Sequence, residues 1–324
     1  MTVAFVARGD TANMIRRVVA KLAPDAIVSE RFEDLIPDLH RIDGLTIGAT
    51  DYDSTVIGHL KEKAPKLRWM QALSSGVDHH LDVGLPAGVA LTSGSGAHAP
   101  ACADHALALT LSLLRQLNTF RDEAVKTHWM EWASLPPQRS LGRARCLVLG
   151  YGPIGAAVMN RLLGFDARVT IATRSKIDLP ANVAHCLLAN LDSAMPSADI
   201  VIACLPQAPE TTGLLNRRRL AALPKGALIV NIGRGSLIDE EAMIELLESG
   251  HLGGAGLDVT AVEPLPAGHK LWQLPNVEIT PHVAGRGNLT QPLLEEILTE
   301  NLRRFLAGEK LMNLAATGPV EGRH

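Results

Sequence analysis

The sequence predicts an α/β protein made of two tandem parallel-sheet domains, and three observations predict it. Short apolar runs alternate with helical patterns through the first hundred residues, a second alternating series begins at Cys146, and a long apolar helical pattern separates the two. Strands that alternate with helices are the mark of a parallel sheet covered by its own crossovers. A chain of 324 residues is long for one core and suits two.

The first series occupies 3–7, 14–22, 45–49, 56–61, 67–72 and 89–92. Between the series, Ala103, Ala106, Leu107, Leu109, Thr110, Leu113, Leu114 and Leu117 recur at helical spacing over 99–117, which predicts a long, largely buried helix bridging the domains. The second series runs through 146–149, 168–172, 200–205, 227–231, 254–259 and 277–280. These runs are almost continuously apolar, as strands of a sheet covered on both faces are. A last helical pattern at 293–306 ends near Gly308. A chain that begins in one domain and ends with a helix beyond the other is expected to return to the first, which makes the cleft between them the natural binding site.

Composition sets the class. With 47% hydrophobic residues and a formal charge of −3, the chain can bury a sizeable core and has no bulk attraction to nucleic acid or to an anionic membrane. Cys102, Cys146, Cys186 and Cys204 are scattered without CxxC spacing, and they read as small buried hydrophobes in a reducing compartment. The opening MTVAFVARGD lacks the basic start and long apolar core of a secretory signal, and no run reaches the roughly 18 apolar residues of a membrane helix. A cytoplasmic protein is expected.

The most informative segment is Gly150-Tyr151-Gly152-Pro153-Ile154-Gly155, which follows the apolar run 146–149 and opens a helical stretch at Ala156. Strand, glycine turn and helix arrive in the order a dinucleotide site requires. Glycines permit the tight turn and a close backbone approach to a pyrophosphate, while the new helix's free N–H groups favour negative charge. In such folds the second strand usually ends in an acid that binds the ribose 2′-hydroxyl. Here it ends Thr173-Arg174-Ser175-Lys176, with no acid before Asp178. The absent carboxylate removes repulsion toward a 2′-phosphate, and Arg174 with Ser175 can bind one through charge-assisted hydrogen bonds. NADP(H) is therefore expected over NAD(H), with NAD(H) still possible.

Three later segments each place one functional side chain at or just beyond a strand end: Asn231-Ile232-Gly233-Arg234-Gly235, Asp258-Val259 followed by Glu263-Pro264, and Thr280-Pro281-His282-Val283-Ala284-Gly285. Singly, each has a bland reading: a surface ion pair, a solvent-facing acid, a structural histidine. Their joint occurrence, in this order downstream of the glycine turn, favours an active site.

With these segments in view the chain resembles the D-isomer-specific 2-hydroxyacid dehydrogenase family. The resemblance also rests on Ser75-Gly76-Val77-Asp78, on 103–109 of the bridging helix, and on Leu205-Pro206 with Thr211-Thr212-Gly213. It implies two Rossmann-like or flavodoxin-like α/β domains with parallel sheets and a deep interdomain cleft. The substrate-binding domain would be 1–98 plus 291–324, the NADP-binding domain 99–290, and the assembly a homodimer. His282 would be the general acid/base, Glu263 its partner, and Arg234 the group that binds the substrate carboxylate and polarises its carbonyl. Ser75, Gly76 and Val77 would supply backbone amides to that carboxylate. Asp258 would hold the nicotinamide carboxamide, Pro206 and Thr212 would line the adenosine and phosphate side, and Pro153 with Ile154 would meet the pyrophosphate. Leu205, Ile232, Gly233, Ala284 and Gly285 complete the expected cofactor contacts, with Gly150, Gly152, Gly155, Thr173, Arg174 and Ser175 named above.

The implied reaction is hydride transfer between NADP(H) and a small 2-keto or D-2-hydroxy acid, and the Thr-Arg-Ser turn looks most like the glyoxylate/hydroxypyruvate reductase branch. The bridging helix carries Asp104 where the family commonly has Glu. Formate oxidation on the same fold is disfavoured because that branch pairs its His with Gln. Phosphite oxidation stays open as an alternative, as does a corepressor-like nicotinamide sensor, although the chain has no long polar tail. The histidines, His79-His80 included, lack metal-ligand spacing. Trp129 and Trp132 would shape the pocket of a partner subunit or serve core or interface packing.

Overall fold

Strand and helix alternate as the sequence requires, and in this computed structural model, which describes residues 1–319, they form two compact units. One contains residues 1–98 and the chain from 287 onward; the other contains 99–286. The expected first domain extends to residue 324, and positions 320–324 lie outside the described residues.

The first unit is built on β1 (Thr2–Val6), β2 (Ile27–Ser29), β3 (Ile42–Thr46), β4 (Trp69–Gln71) and β5 (Ala90–Thr92), which pair in parallel in the order β2-β1-β3-β4-β5. This is the order of the flavodoxin-like doubly wound sheet. The strand Leu314–Thr317 adds to β5 antiparallel, so this sheet is not wholly parallel. The returning chain arrives at β5 from a helix rather than through a crossover, and it covers an edge that would otherwise leave unpaired backbone groups.

The helices α1 (Gly9–Leu22), α2 (Ser54–Lys63) and α3 (Asp78–Val83) belong to this unit, and the Asp53 carboxylate caps α2 by accepting from the Thr55 and Val56 amides, both at 2.9 Å. The returning helix Thr290–Ala307 lies against α1 and stops at Gly308, whose φ of 70° is the left-handed termination that glycine favours. Phe5, Met14, Ile15, Leu298, Leu302 and Phe305 close the core beneath it. Asn301 is among the polar residues sealed inside: it donates to Gln71 Oε1 at 2.9 Å and accepts from the Met312 amide at 2.8 Å.

In the second unit β6 (Arg145–Leu149), β7 (Arg168–Thr173), β8 (Ala184–Leu187), β9 (Ile200–Ala203), β10 (Ala227–Asn231), β11 (Leu252–Leu257) and β12 (Val277–Ile279) are all parallel, ordered β8-β7-β6-β9-β10-β11-β12. The chain winds outward from β6 to β8 and then resumes on the other side of β6 at β9. Ligands of such sheets bind outside the carboxyl ends of the strands at that reversal. The predicted long helix is α4 (Ala99–Arg115), followed by α5 (Leu117–Val125), and α4 packs within this unit against α6 (Pro153–Gly164), β10 and β11. Its closeness explains Gly256 of β11, since a Cβ there would lie 2.9 Å from that of Leu109. All four cysteines are free thiols, two of them only half-buried. Among the described residues no helix is long and apolar enough to cross a membrane.

Asn301 carries a testable consequence for the first unit. Asn301→Ala would leave the Met312 amide buried without its acceptor and Gln71 short of a donor, and it is expected to cost about 2–4 kcal/mol in urea unfolding.

Candidate active site

Each residue singled out in the second unit sits where a parallel strand ends, and the geometry begins with the glycine turn beyond β6. Gly150 has a φ of 102°, a conformation that disfavours every L side chain, and its amide donates to Ala172 O at 2.9 Å. Gly155 permits the close crossing of α6 over this turn, since a Cβ there would stand 2.2 Å from Gly150 O. Gly152 is different: a Cβ would meet nothing within 4 Å, and as N-cap of α6 it offers no side-chain cap to the first-turn amides. With Pro153 opening the helix, the amides that follow are left for an outside acceptor. A pyrophosphate fits this uncapped, open cradle.

At the end of β7 the Thr173 hydroxyl donates to Ser175 O at 2.7 Å and sits 2.7 Å from His185 Nε2, so its hydrogen-bonding capacity is taken up inside the protein. Arg174 and Ser175 are exposed, and Arg174 pairs with Glu210 at 2.9 Å. Beyond β9, Leu205 packs toward Gly150, Pro206 O accepts from the Thr211 hydroxyl, and Thr212 donates its hydroxyl to Ala208 O.

The segment after β10 is pinned by Asn231, whose side chain accepts from the Gly233 amide at 3.0 Å and donates to Arg234 O at 2.9 Å. Ile232 and Gly233 are buried and Arg234 is half-buried. No side chain fits at Gly235, where a Cβ would approach Thr260 O to 1.9 Å. That contact lays the Arg234 segment against the loop that carries Glu263. The Glu263 Oε1 atom accepts from the Thr260 amide at 3.2 Å, and Oε2 lies 2.8 Å from His282 Nδ1.

The His282 loop follows β12. His282 has a φ of 52°, and its side chain is about half exposed, 51% against 38% for Glu263. Asp258 lies just beyond β11 and is 2% exposed. Its carboxylate accepts from the Thr280 hydroxyl at 2.6 Å and from the Val283 and Ala284 amides at 2.9 Å each. The neighbouring Cys102 thiol is pushed up to about 11 by burial and by the Asp258 charge, against a smaller opposing effect of Arg234, and burial raises Cys204 as well. Neither is a thiolate nucleophile at neutral pH.

In the first unit, the turn 74–77 is closed by the Ser74 hydroxyl on Gly76 O at 2.6 Å and by the Gly94 amide on Ser74 O at 2.9 Å. The Ser75 hydroxyl oxygen is buried with no hydrogen-bond partner among the described residues. No group of three or more His, Cys, Asp or Glu that could hold a metal occurs among them either.

Residues 107–284 match the family model described as D-isomer specific 2-hydroxyacid dehydrogenase, NAD binding domain. The chain belongs to this family. Glyoxylate/hydroxypyruvate reductase B of Pectobacterium carotovorum is 31% identical over 84% of this chain and 85% of its own length. D-3-phosphoglycerate dehydrogenase of Mycobacterium bovis is 32% identical over 90% of this chain, but the chain spans only 57% of that relative. Among solved structures, a D-isomer specific 2-hydroxyacid dehydrogenase of Xanthobacter autotrophicus in complex with NADPH superposes with a TM-score of 0.83 at 28% identity, covering 97% of this chain and 98% of the other.

Within this member of the family, two side chains that sequence reasoning passed over stand next to the expected ones. His105 Nε2 lies 2.8 Å from the Thr280 hydroxyl, and Glu210 holds Arg174. His105 had a visible signal, a polar residue among the apolar positions 102, 103, 106, 107 and 109 of α4. Glu210 had none, because it meets Arg174 only across two strand ends.

The glycine turn yields a contrast between neighbours. Gly155→Ala is expected to destabilise the second unit by about 3 kcal/mol, because its Cβ must displace backbone. Gly152→Ala should cost about 1 kcal/mol or less, the change expected at a cap with open space around it. Urea unfolding of both variants checks the difference.

Proposed function

We propose that the chain is a hydride-transfer oxidoreductase that interconverts a small 2-keto acid and its D-2-hydroxy acid, of the glyoxylate/hydroxypyruvate reductase kind, with NADP(H) preferred and NAD(H) accepted less well. The observation that carries this reading is the His282–Glu263 pair at 2.8 Å beside the Arg234 segment, at the carboxyl ends of β10 to β12.

A bound nicotinamide would supply or accept the hydride. Glu263 takes the hydrogen of His282 Nδ1, which fixes the tautomer and leaves Nε2 as the nitrogen that faces substrate. During reduction His282 gives its proton to the keto oxygen as negative charge develops there, and Glu263 stabilises the imidazolium before transfer. Solvent then restores the proton. In the opposite direction neutral His282 accepts the hydroxyl proton. Arg234 grips the substrate carboxylate with its planar fork and polarises the adjacent carbonyl.

The uncapped start of α6 is assigned to the pyrophosphate, and Arg174 with Ser175 to a 2′-phosphate. The absence of an acid at Thr173 supports this preference, as does the NADPH bound by the Xanthobacter relative. Leu117, Val125, Trp129 and Trp132 are exposed on α5 and the segment after it, with Trp129 at 94%. Such exposure is unlike core packing and supports a homodimer in which a second copy covers them. Four free thiols suit a reducing cytoplasm.

Oxidation of NADPH is expected with at least one of glyoxylate, hydroxypyruvate, phosphohydroxypyruvate, pyruvate, phenylpyruvate and 2-ketoisocaproate. His282→Ala should lower that turnover by about two to four orders of magnitude. No turnover of any keto acid, or full activity in the variant, would sink the assignment. Arg174→Ala should raise the Kd for NADPH about tenfold or more and leave NADH nearly unchanged, given the strength of charge-assisted phosphate contacts. An equal change for both cofactors contradicts the 2′-phosphate site.

A further inference from the structure

The Thr280 hydroxyl has a single hydrogen, and at 2.6 Å it is donated to Asp258 Oδ1, an atom that can only accept. The 2.8 Å contact between that hydroxyl and His105 Nε2 must then take its hydrogen from the imidazole. Donation therefore runs one way, from His105 to Thr280 to Asp258, with His105 Nε2 itself 3.6 Å from Asp258 Oδ1. Two backbone amides, of Val283 and Ala284, converge on the same carboxylate, and the His282 amide donates to Asp258 O at 2.9 Å. The loop so held carries His282 at a φ of 52°, a conformation that costs a residue with a side chain about 1–2 kcal/mol and persists only where its surroundings impose it.

Packing does not ask for an imidazole at position 105. The flanking positions Cys102, Ala106 and Leu109 of α4 are buried and apolar, and a leucine would fill such a place without the cost of desolvating a polar ring. Asp258 does need a donor: a carboxylate 2% exposed is tolerable only when its lone pairs are occupied.

We propose that His105 and Thr280 are positioning residues for the acid/base: through Asp258 they hold the 282–284 backbone, so that His282 keeps its left-handed conformation with Nδ1 on Glu263. Asp258 then supports the imidazole from behind, through the backbone it holds. The proposal rests on the reading of His282 as acid/base and adds to it the residues that aim it.

Two measurements on the full chain test it. The first is amide hydrogen exchange at Val283 and Ala284, which needs no turnover. Exchange at both is expected to accelerate about tenfold or more in His105→Leu and in Thr280→Val, since each change loosens the clamp. Unchanged exchange overturns the proposal, even if the wild-type protein turned over no keto acid, a result that would strike only the functional reading above.

The second is steady-state kinetics with the best keto acid and deuterated NADPH. Both variants should lose about ten- to a hundredfold in kcat, with a larger primary isotope effect, while the Kd for NADPH moves by less than about threefold. Combining them should be no worse than the more damaging single change, because both interrupt one chain of donors. Thr280→Ser and His105→Gln retain a hydroxyl and an N–H at similar reach and should recover most of the rate. Wild-type kcat in His105→Leu would overturn the idea, as would conservative variants that fail as badly as the others and lose NADPH affinity with them.

Discussion

A buried carboxylate organises the chemical edge of the second unit. Asp258 ends the strand next to β12, so its side chain can reach the loop that follows β12, and its burial forces that loop to bring donors to it. An unpaired carboxylate in such a place would cost several kcal/mol. The 282–284 backbone therefore adopts the one path that delivers two amides, and a histidine is carried into a left-handed conformation as a result. The position of His282, the proposed acid/base, is thus set by where a charge must be satisfied and only secondarily by the histidine itself. Glu263 reaches the imidazole because Gly235 lets its loop lie within contact of the Arg234 segment, which couples all three functional side chains through backbone contacts that only glycine allows.

This explains what could be read from the residues alone. The strands of the second unit are nearly continuous apolar runs, and their ends, marked by glycine, proline and charge, were placed to within a residue or two. The helix predicted over 293–306 is Thr290–Ala307, stopped by Gly308 as its position suggested. Strands β2 and β8 escaped the reading. Both are short edge strands, mostly half-buried, and their residues carry too weak an apolar signal to stand out from loops. Phe32–Arg41, a stretch of 3-10 helix with Pro37 inside it, has no period that sequence patterning recognises. The antiparallel strand Leu314–Thr317 was invisible for another reason: its identity comes from the partner it finds at β5, and pairing partners are a property of the folded chain.

The same division applies to the site. Residue types with a distinctive chemistry at a strand end, such as the glycine turn, Arg234, Glu263 and His282, stand out in the sequence, and the structure brings Glu263 and His282 together. Residues that act on other residues do not. His105 and Thr280 lie 175 positions apart and acquire meaning only from the approach of α4 to the loop after β12. Asp258 was noticed, but its bonds to the Val283 and Ala284 amides were not legible, because the path of the loop that brings those amides is a property of the folded chain.

On the proposed assignment of Arg174 to a 2′-phosphate, selectivity at the turn after β7 rests on charge. An acid at position 173 would accept from a ribose hydroxyl, but Thr173 donates to Ser175 O and faces His185, so it shapes the turn and does not replace the acid. In the assignment proposed above recognition at this edge falls to Arg174, which Glu210 holds in an exposed ion pair. A pair this open to water contributes about 1 kcal/mol or less, since solvent competes for both charges and ordering two long side chains costs entropy. A phosphate group brings more charge and several acceptor oxygens to the same guanidinium, so exchanging Glu210 for a 2′-phosphate is favourable on both counts. A 2′-hydroxyl brings neither and leaves the ion pair in place. The proposed preference for the phosphorylated cofactor would then follow from competition for one arginine, with the carboxylate of Glu210 as the background that a ligand must exceed.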